Sequence, residues 1–347
     1  MRSLVPSAPL EEAAGVPQRL ITLAERFAGD VRAVEPCSGG GNNRVYRILT
    51  SEGLVAGKVY GAGLDERDRL GHEFGGLSFL KASGVGKAVP AALACDTAGG
   101  CALYEWIEGA RPTEHGVADI GAVLDLLSGL HEAREAAGAS DLPAATEAVL
   151  GPSDLVQQID GRLARLSALG PSEPALAAFL ATELRPEAER HLASLRAADT
   201  GTRLAAACLT LSPSDFGFHN ALRGPDGSLT FIDFEYFGWD DPVKLCADFL
   251  WHPAMRLSEE ERAAFLAGVT RLYAHDDAFT ARLAVCFPVY GIRWILIILN
   301  EFVPQLWARR SFAGKGGDWE VAKSDQLDKA RAMLAAVRSY REGIFHA

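Results

Sequence analysis

Asp215, Asn220 and Asp233 are the residues whose types and spacing could do chemistry together. They stand in Ser212-Pro213-Ser214-Asp215-Phe216-Gly217-Phe218-His219-Asn220 and, after a Gly224-Pro225-Asp226-Gly227 turn, in Thr230-Phe231-Ile232-Asp233-Phe234-Glu235. Pro225 presets one turn torsion and Gly227 supplies positive φ, so the stretch predicts a β-hairpin. That hairpin folds Asp233 back beside Asn220, with Asp215 on the loop just before them. Two carboxylates and a carboxamide then converge. Like charges at close range need a cation between them, and the natural occupant is Mg²⁺, a hard ion that takes few protein oxygens and keeps phosphate ligands.

Other elements must position this group. Leu20, Ile21, Leu23, Ala24 and Phe27 recur at helical spacing. Val31 to Glu35 begins a strand, Ser38-Gly39-Gly40-Gly41-Asn42-Asn43 interrupts it, and Val45 to Leu49 and Gly53 to Tyr60 supply two more strands. Strand, glycine turn and strand form an antiparallel meander, unlike the strand-then-helix of a Walker or dinucleotide fingerprint. Three glycines let backbone amides approach an anion, and a neighbouring Asn can donate too. Ala56 and Lys58 share a strand face, so a small residue lies next to a cation. A helix beginning near Asp65 buries Leu70, Phe74 and Leu77, with Glu73 at the edge of that face. An inward carboxylate needs a partner, and Lys58 is the nearest candidate in chain order. Val89 to Cys95 and Cys101 to Gly109 complete a five-stranded sheet with one inserted helix. From Asp119 onward the pattern is helical outside the central hairpin, with Ile120, Val123, Leu124, Leu127, Leu130 and His131 on one stripe. His131 reads as a packing or capping residue rather than a ligand.

A D-x-x-x-x-N loop followed by a strand ending in Asp-Phe is the catalytic and metal arrangement of kinases. In this chain it resembles the version found in aminoglycoside phosphotransferases and choline kinases. The resemblance spans roughly Ser38 to Asp248 and lies in the order of five elements: the glycine turn, Val55-Ala56-Gly57-Lys58, Glu73, Tyr104-Glu105-Trp106-Ile107-Glu108-Gly109, and the central hairpin. It implies an α+β, protein-kinase-like, two-lobed fold. The N-terminal lobe would span residues 1–104 (1–16 a loose arm), a hinge 105–110, and a helical C-terminal lobe 111–347. It also implies a nucleotide site, for ATP or GTP, made by Gly39, Gly40, Gly41, Asn43, Ala56, Lys58, Glu73, Glu105, Trp106 and Ile107. Lys58, oriented by Glu73, would hold the α- and β-phosphates, and hinge backbone groups would take the base. Asn220 and Asp233 would bind Mg²⁺, and Asp215 would accept or orient the hydroxyl of a small-molecule acceptor. Candidate acceptors are an aminoglycoside-like antibiotic, an amino alcohol and a sugar. The alternative is a pseudokinase, a nucleotide-binding or scaffold module without turnover.

Two departures from the family pattern bear on loop geometry. Pro213 stands where a His usually precedes the catalytic Asp, and Ser212 and Ser214 are the candidates to replace its hydrogen bonds. In the tract Gly238-Trp239-Asp240-Asp241-Pro242, Leu245 stands where an Asp is usual, and Asp248 is positioned to take its part.

The chain has 347 residues and a net charge of -11. Its length allows two lobes with their own cores, and its charge argues against nucleic acid as partner. Excess acid favours a cationic acceptor weakly, whereas Arg293, Arg309 and Arg310 could grip an anion. Solvated or mutually paired charges are the expectation for those arginines and Glu301. The six cysteines show no metal-ligand spacing and read as free thiols. Val285 to Val303 is apolar but interrupted by Pro288, Gly291, Arg293 and Asn300, which favours a buried helix over a membrane span. No signal peptide is evident, and the expected location is the cytoplasm.

Overall fold

The computed structural model describes residues 16–37, 43–61, 67–198, 203–310 and 317–340. A helix, α1 (Gln18–Ala28), precedes strands β1 (Val31–Cys37), β2 (Arg44–Thr50) and β3 (Leu54–Val59). Helix α2 (Arg69–Ala82) leads to β4 (Ala92–Asp96) and β5 (Cys101–Glu105). The five strands form one antiparallel sheet in the order β1-β2-β3-β5-β4.

Helix α1 turns Leu20, Leu23, Ala24 and Ala28 onto one face of the sheet, where they meet Val55, Val59 and Leu103 in a small core. Burying Leu20 completely contributes about 1.5–3 kcal/mol. Gly57 lies beneath this helix. A Cβ there would come within 2.7 Å of Ile48 Cδ1 and 2.9 Å of Leu20 Cδ2. The alternating partner face carries Ala56, which packs on the larger core, and Lys58.

That larger core runs without a break from α2 and the inner face of the sheet into the helices beyond. These helices are α3 (Val117–Ala133), α4 (Pro152–Ser167), α5 (Pro174–Phe179), which passes through a π turn at Leu180–Leu184, and α6 (Arg185–Ala198). Three-residue strands follow: β6 (Thr210–Ser212), β7 (Ala221–Arg223), β8 (Leu229–Phe231) and β9 (Gly238–Asp240). The chain closes with α7 (Pro242–Trp251), α8 (Glu259–Leu272), α9 (Phe279–Ile298), α10 (Pro304–Arg310) and α11 (Trp319–Ser339). Ser258 and Glu261 form the capping box that starts α8. The segment Phe279–Phe302 is long and apolar enough to cross a membrane, but 72 % of its apolar 18-residue window is buried inside the molecule. It is a core helix, as its interruptions predict. His131 sits edge-on to the Tyr273 ring at 5.3 Å, a packing role. The six cysteines are free; Cys101 and Cys246 are buried and the rest half-buried.

Candidate active site

The predicted hairpin forms, with Ala221 opposite Phe231 and Arg223 opposite Leu229. Gly227 adopts φ 86°, and the Asp226 carboxylate accepts from the amide and hydroxyl of Ser228 at 3.0 and 2.6 Å. Beyond the last pair, the amide of Ile232 donates to the carbonyl of Asn220 at 2.8 Å, which brings Asp233 next to Asn220. Asp233 itself holds φ 69°, a left-handed conformation unusual for a residue with a side chain. Such outliers collect at functional sites.

Asp215 lies on the loop between β6 and the hairpin. Asn220 Nδ2 donates to the Asp215 carbonyl at 3.0 Å, and His219 Nε2 donates to Asp215 Oδ1 at 2.9 Å. His252, from the end of α7, stacks on His219 with ring centroids 3.8 Å apart and brings Nε2 to 3.7 Å from the same oxygen. Burial works to raise the Asp215 pKa, but the His219 hydrogen bond, the two imidazoles and Asn220 outweigh it and hold the group down at about 2. His252 is pushed down to about 4, chiefly by burial and by His219. Sequence reasoning missed both histidines. The i, i+4 spacing of Asp215 and His219 was a usable signal; nothing in the sequence pointed to His252.

Lys58 reaches the same region from β3. Its ammonium donates to Glu73 Oε2 at 2.6 Å and to Asp233 Oδ1 at 2.5 Å, while Lys58 and Glu73 are buried. Burial pushes Glu73 up, to about 7, against the pull of Lys58 and of the Tyr60 hydroxyl, which donates at 2.7 Å. Burial disfavours the Lys58 cation, but Asp233, Glu73 and Glu235 more than compensate and its pKa rises. Asn43, at the end of the glycine turn, is buried and donates through Nδ2 to Glu235. Gly39, Gly40 and Gly41 lie outside the described residues. Ala56 sits across from Tyr104 on the Lys58 face. At the end of β5, the Glu105 amide donates to the Ala91 carbonyl at 2.9 Å and its carboxylate accepts from the Ala91 amide at 3.1 Å. Trp106 and Ile107 are half-buried, with the Arg47 guanidinium 5.6 Å from the Trp106 ring.

The donor set suits a hard divalent cation. With Nδ2 committed to the Asp215 carbonyl, Asn220 turns Oδ1 the other way. The Asp233 carboxylate, 33 % exposed, supplies anionic oxygens beside it. Among His, Cys, Asp and Glu of the described residues, the group close enough to share an ion is instead Asp215, His219 and His252. Parallel stacked imidazoles direct their nitrogens side by side, so this group is better suited to fixing the carboxylate.

A buried frame holds the loop. Lys244 is fully buried, pairs with Asp240 at 2.8 Å and Asp248 at 3.2 Å, and donates to Ser214 Oγ at 2.9 Å. The Ser214 amide donates to Ser212 Oγ at 3.0 Å, and Ser214 takes φ 67°. Both serines thus supply hydrogen bonds beside Pro213, as expected. Sequence reading found Asp248 but overlooked Lys244, although Lys244 and Asp248 stand at i, i+4 on α7, with Asp240 at the end of β9 just before it. Arg293 follows the paired half of its expectation, solvated or mutually paired, but is buried rather than on the surface. It is bonded to Asp248 at 3.1 Å and Glu147 at 3.1 Å, because α9 carries it into the wall of a cavity of about 350 Å³ that Asp215 also lines. Glu301 is also buried, and the side chains of Arg309 and Arg310 lie outside the described set.

The model of the phosphotransferase enzyme family matches residues 33–285, and the chain belongs to that family. Comparison with curated protein sequences finds no match. Among solved structures, the choline kinase LicA from Streptococcus pneumoniae is similar at 17 % identity, with TM-score 0.54 and coverage of 88 % of this chain and 94 % of that one. A spectinomycin phosphotransferase in complex with ADP and spectinomycin has 13 % identity and TM-score 0.59, covering 91 % and 98 %. An aminoglycoside phosphotransferase from Alicyclobacillus acidocaldarius has 15 % identity and TM-score 0.58, covering 97 % and 98 %. At these identities the likeness is one of fold, and that fold is the kinase-like one expected.

Proposed function

We propose that this family member transfers the γ-phosphate of ATP to a hydroxyl of a small molecule in a Mg²⁺-dependent reaction. One observation carries the reading: a buried ammonium held between Glu73 and Asp233, with Asp233 and Asn220 adjacent on the hairpin and Asp215 bonded to Asn220. The ADP-bound spectinomycin phosphotransferase of similar fold supports nucleotide use.

In this reading Lys58 neutralises the α- and β-phosphates, and Glu73 with Tyr60 keeps its ammonium from drifting. Asn220 and Asp233 would hold Mg²⁺, which would supply charge neutralisation for the phosphates. Backbone groups of Glu105 to Ile107 receive the base over Ala56. Asp215 accepts a hydrogen bond from the incoming hydroxyl. A carboxylate held near pKa 2 is a weak base. Its work is therefore to aim the hydroxyl, with the proton leaving late, which suits a loose phosphoryl-transfer transition state. Residues 1–104 form the nucleotide side, 105–110 the hinge and 111–347 the acceptor side of the enzyme, which works in the cytoplasm.

The test is ADP release from Mg·ATP across a panel of hydroxyl acceptors. The wild type is expected to release ADP in an acceptor-dependent way, and Asp215→Ala to lower kcat by ~10²–10⁴-fold. Asp233→Ala should abolish the Mg²⁺-dependent thermal shift produced by nucleotide. A nucleotide shift indifferent to Mg²⁺ contradicts the site, and nucleotide binding without acceptor-dependent ADP identifies a module without turnover.

A further inference from the structure

His219 and His252 stack on one another beside Asp215, yet only His252 lines the cavity that Asp215 also lines. His219 is no part of that lining, and its Nε2 is committed to Asp215 Oδ1 at 2.9 Å. The Nε2 of His252 stops 3.7 Å from the same oxygen, beyond the roughly 3.2 Å at which an N–H···O hydrogen bond ends.

The His252 ring is held in place. The chain turns at Pro253 directly after α7, and the Met255 amide donates to the His252 carbonyl at 3.0 Å. Trp294 of α9 meets the imidazole edge-on at 4.7 Å and is itself fixed through Nε1, which donates to Asp248 at 2.8 Å. The Ala254 amide donates to His252 Nδ1 at 3.2 Å. With Nδ1 an acceptor, the ring proton sits on Nε2. Burial and His219 keep the imidazole uncharged, its pKa pushed down to about 4. An N–H donor thus faces the carboxylate across a gap, and among the described residues no acceptor lies within hydrogen-bond reach of it.

A polar separation of this size is one that a single oxygen bridges, because one atom can lie within hydrogen-bond distance of both ends. That oxygen must accept from Nε2–H and donate to the carboxylate. A hydroxyl does both, whereas an ammonium only donates and a carboxylate only accepts.

We propose that His252 is a second contact to the acceptor, its Nε2–H donating to the hydroxyl oxygen while the hydroxyl donates to Asp215. The catalytic role rests on the phosphotransfer reading, whereas the bridging position stands on its own geometry. Held from both sides, the hydroxyl keeps a lone pair free for phosphorus. As the new P–O bond forms, the bond to ADP breaks with its electron pair leaving on ADP, and the hydroxyl proton passes to Asp215. The His252 proton stays on nitrogen throughout, so the imidazole orients the hydroxyl and neither gives nor takes a proton.

The kinetic test is ADP release from Mg·ATP with choline, ethanolamine, glucose and spectinomycin as acceptors. His252→Phe keeps an aromatic ring against His219 and Trp294 but removes the N–H. It is expected to lower kcat/KM for the acceptor that turns over by ~10–100-fold, while KM for ATP moves by less than about twofold. His252→Gln carries an amide N–H at a similar reach and is expected to recover to within about fivefold of the wild type. Thermal denaturation puts both variants on a per-folded-molecule basis. Unchanged kinetics in His252→Phe, or an equal loss in both variants, overturns the proposal. A crystal structure of the wild type with Mg·ADP decides the case where no acceptor turns over, with water as the smallest hydroxyl probe. A water oxygen within hydrogen-bond distance of both His252 Nε2 and the Asp215 carboxylate supports the bridging position even though phosphotransfer has failed. A gap closed by direct bonding of His252 to Asp215, or left without an oxygen, overturns it.

Discussion

Lys58 holds two carboxylates at once, and its environment makes the consequences of removing it separable. Glu73 is buried and, among the described residues, accepts from the Lys58 ammonium and the Tyr60 hydroxyl. Lys58→Met is expected to strand that carboxylate, destabilise the fold by about 3–5 kcal/mol and abolish turnover. Adding Glu73→Gln should recover much of the stability, read by urea denaturation, and none of the ADP release. The Lys58–Glu73 pair was legible in the sequence because strand alternation fixed the face of Lys58 and helical phase fixed that of Glu73. The clamp on Asp215 was less so: His219 and His252 are separated by a hairpin and a helix, and only folding stacks their rings.

At the scale of elements, small residues mark where backbones must come close. Gly57 leaves room for α1, a helix read from its periodicity but not from what it covers. Gly76 on α2 does the same for the loop after Asp233. A Cβ there would lie 2.4 Å from the ring of Phe237, itself 1 % exposed and unable to retreat. His72, one turn earlier, donates to the Phe237 carbonyl at 2.6 Å. Gly76→Ala is therefore expected to cost about 1–3 kcal/mol by overpacking and to lower kcat by displacing Glu73 from Lys58. Thermal denaturation and steady-state kinetics check the two halves. If stability drops while kcat per folded molecule holds, α2 does not transmit that strain to the ion pair.

For the whole molecule, charge placement matters more than charge total. The cavity collects arginines from positions 67 to 293, a convergence that sequence order conceals. Glu147 is the acid they share. Burial pushes it up, but Arg162, Arg293 and Arg67 more than offset this and hold it at about 2, below its ordinary 4.5. Its contribution to stability is complete above pH ~4.5 and is lost as pH falls through about 2. Acid denaturation followed by circular dichroism should show that slope, and Glu147→Gln should be less stable at neutral pH with a shallower acid limb.

The bond from His72 to Phe237 and the bare backbone at Gly76 also bear on control. They fasten the helix bearing Glu73 to the segment that follows Asp233, so swinging that helix outward requires the anchoring ring to leave the interior first. On the phosphotransfer proposed above, such a catalyst would idle fully assembled, its pace set by what arrives in the cleft rather than by an on–off toggle of its parts.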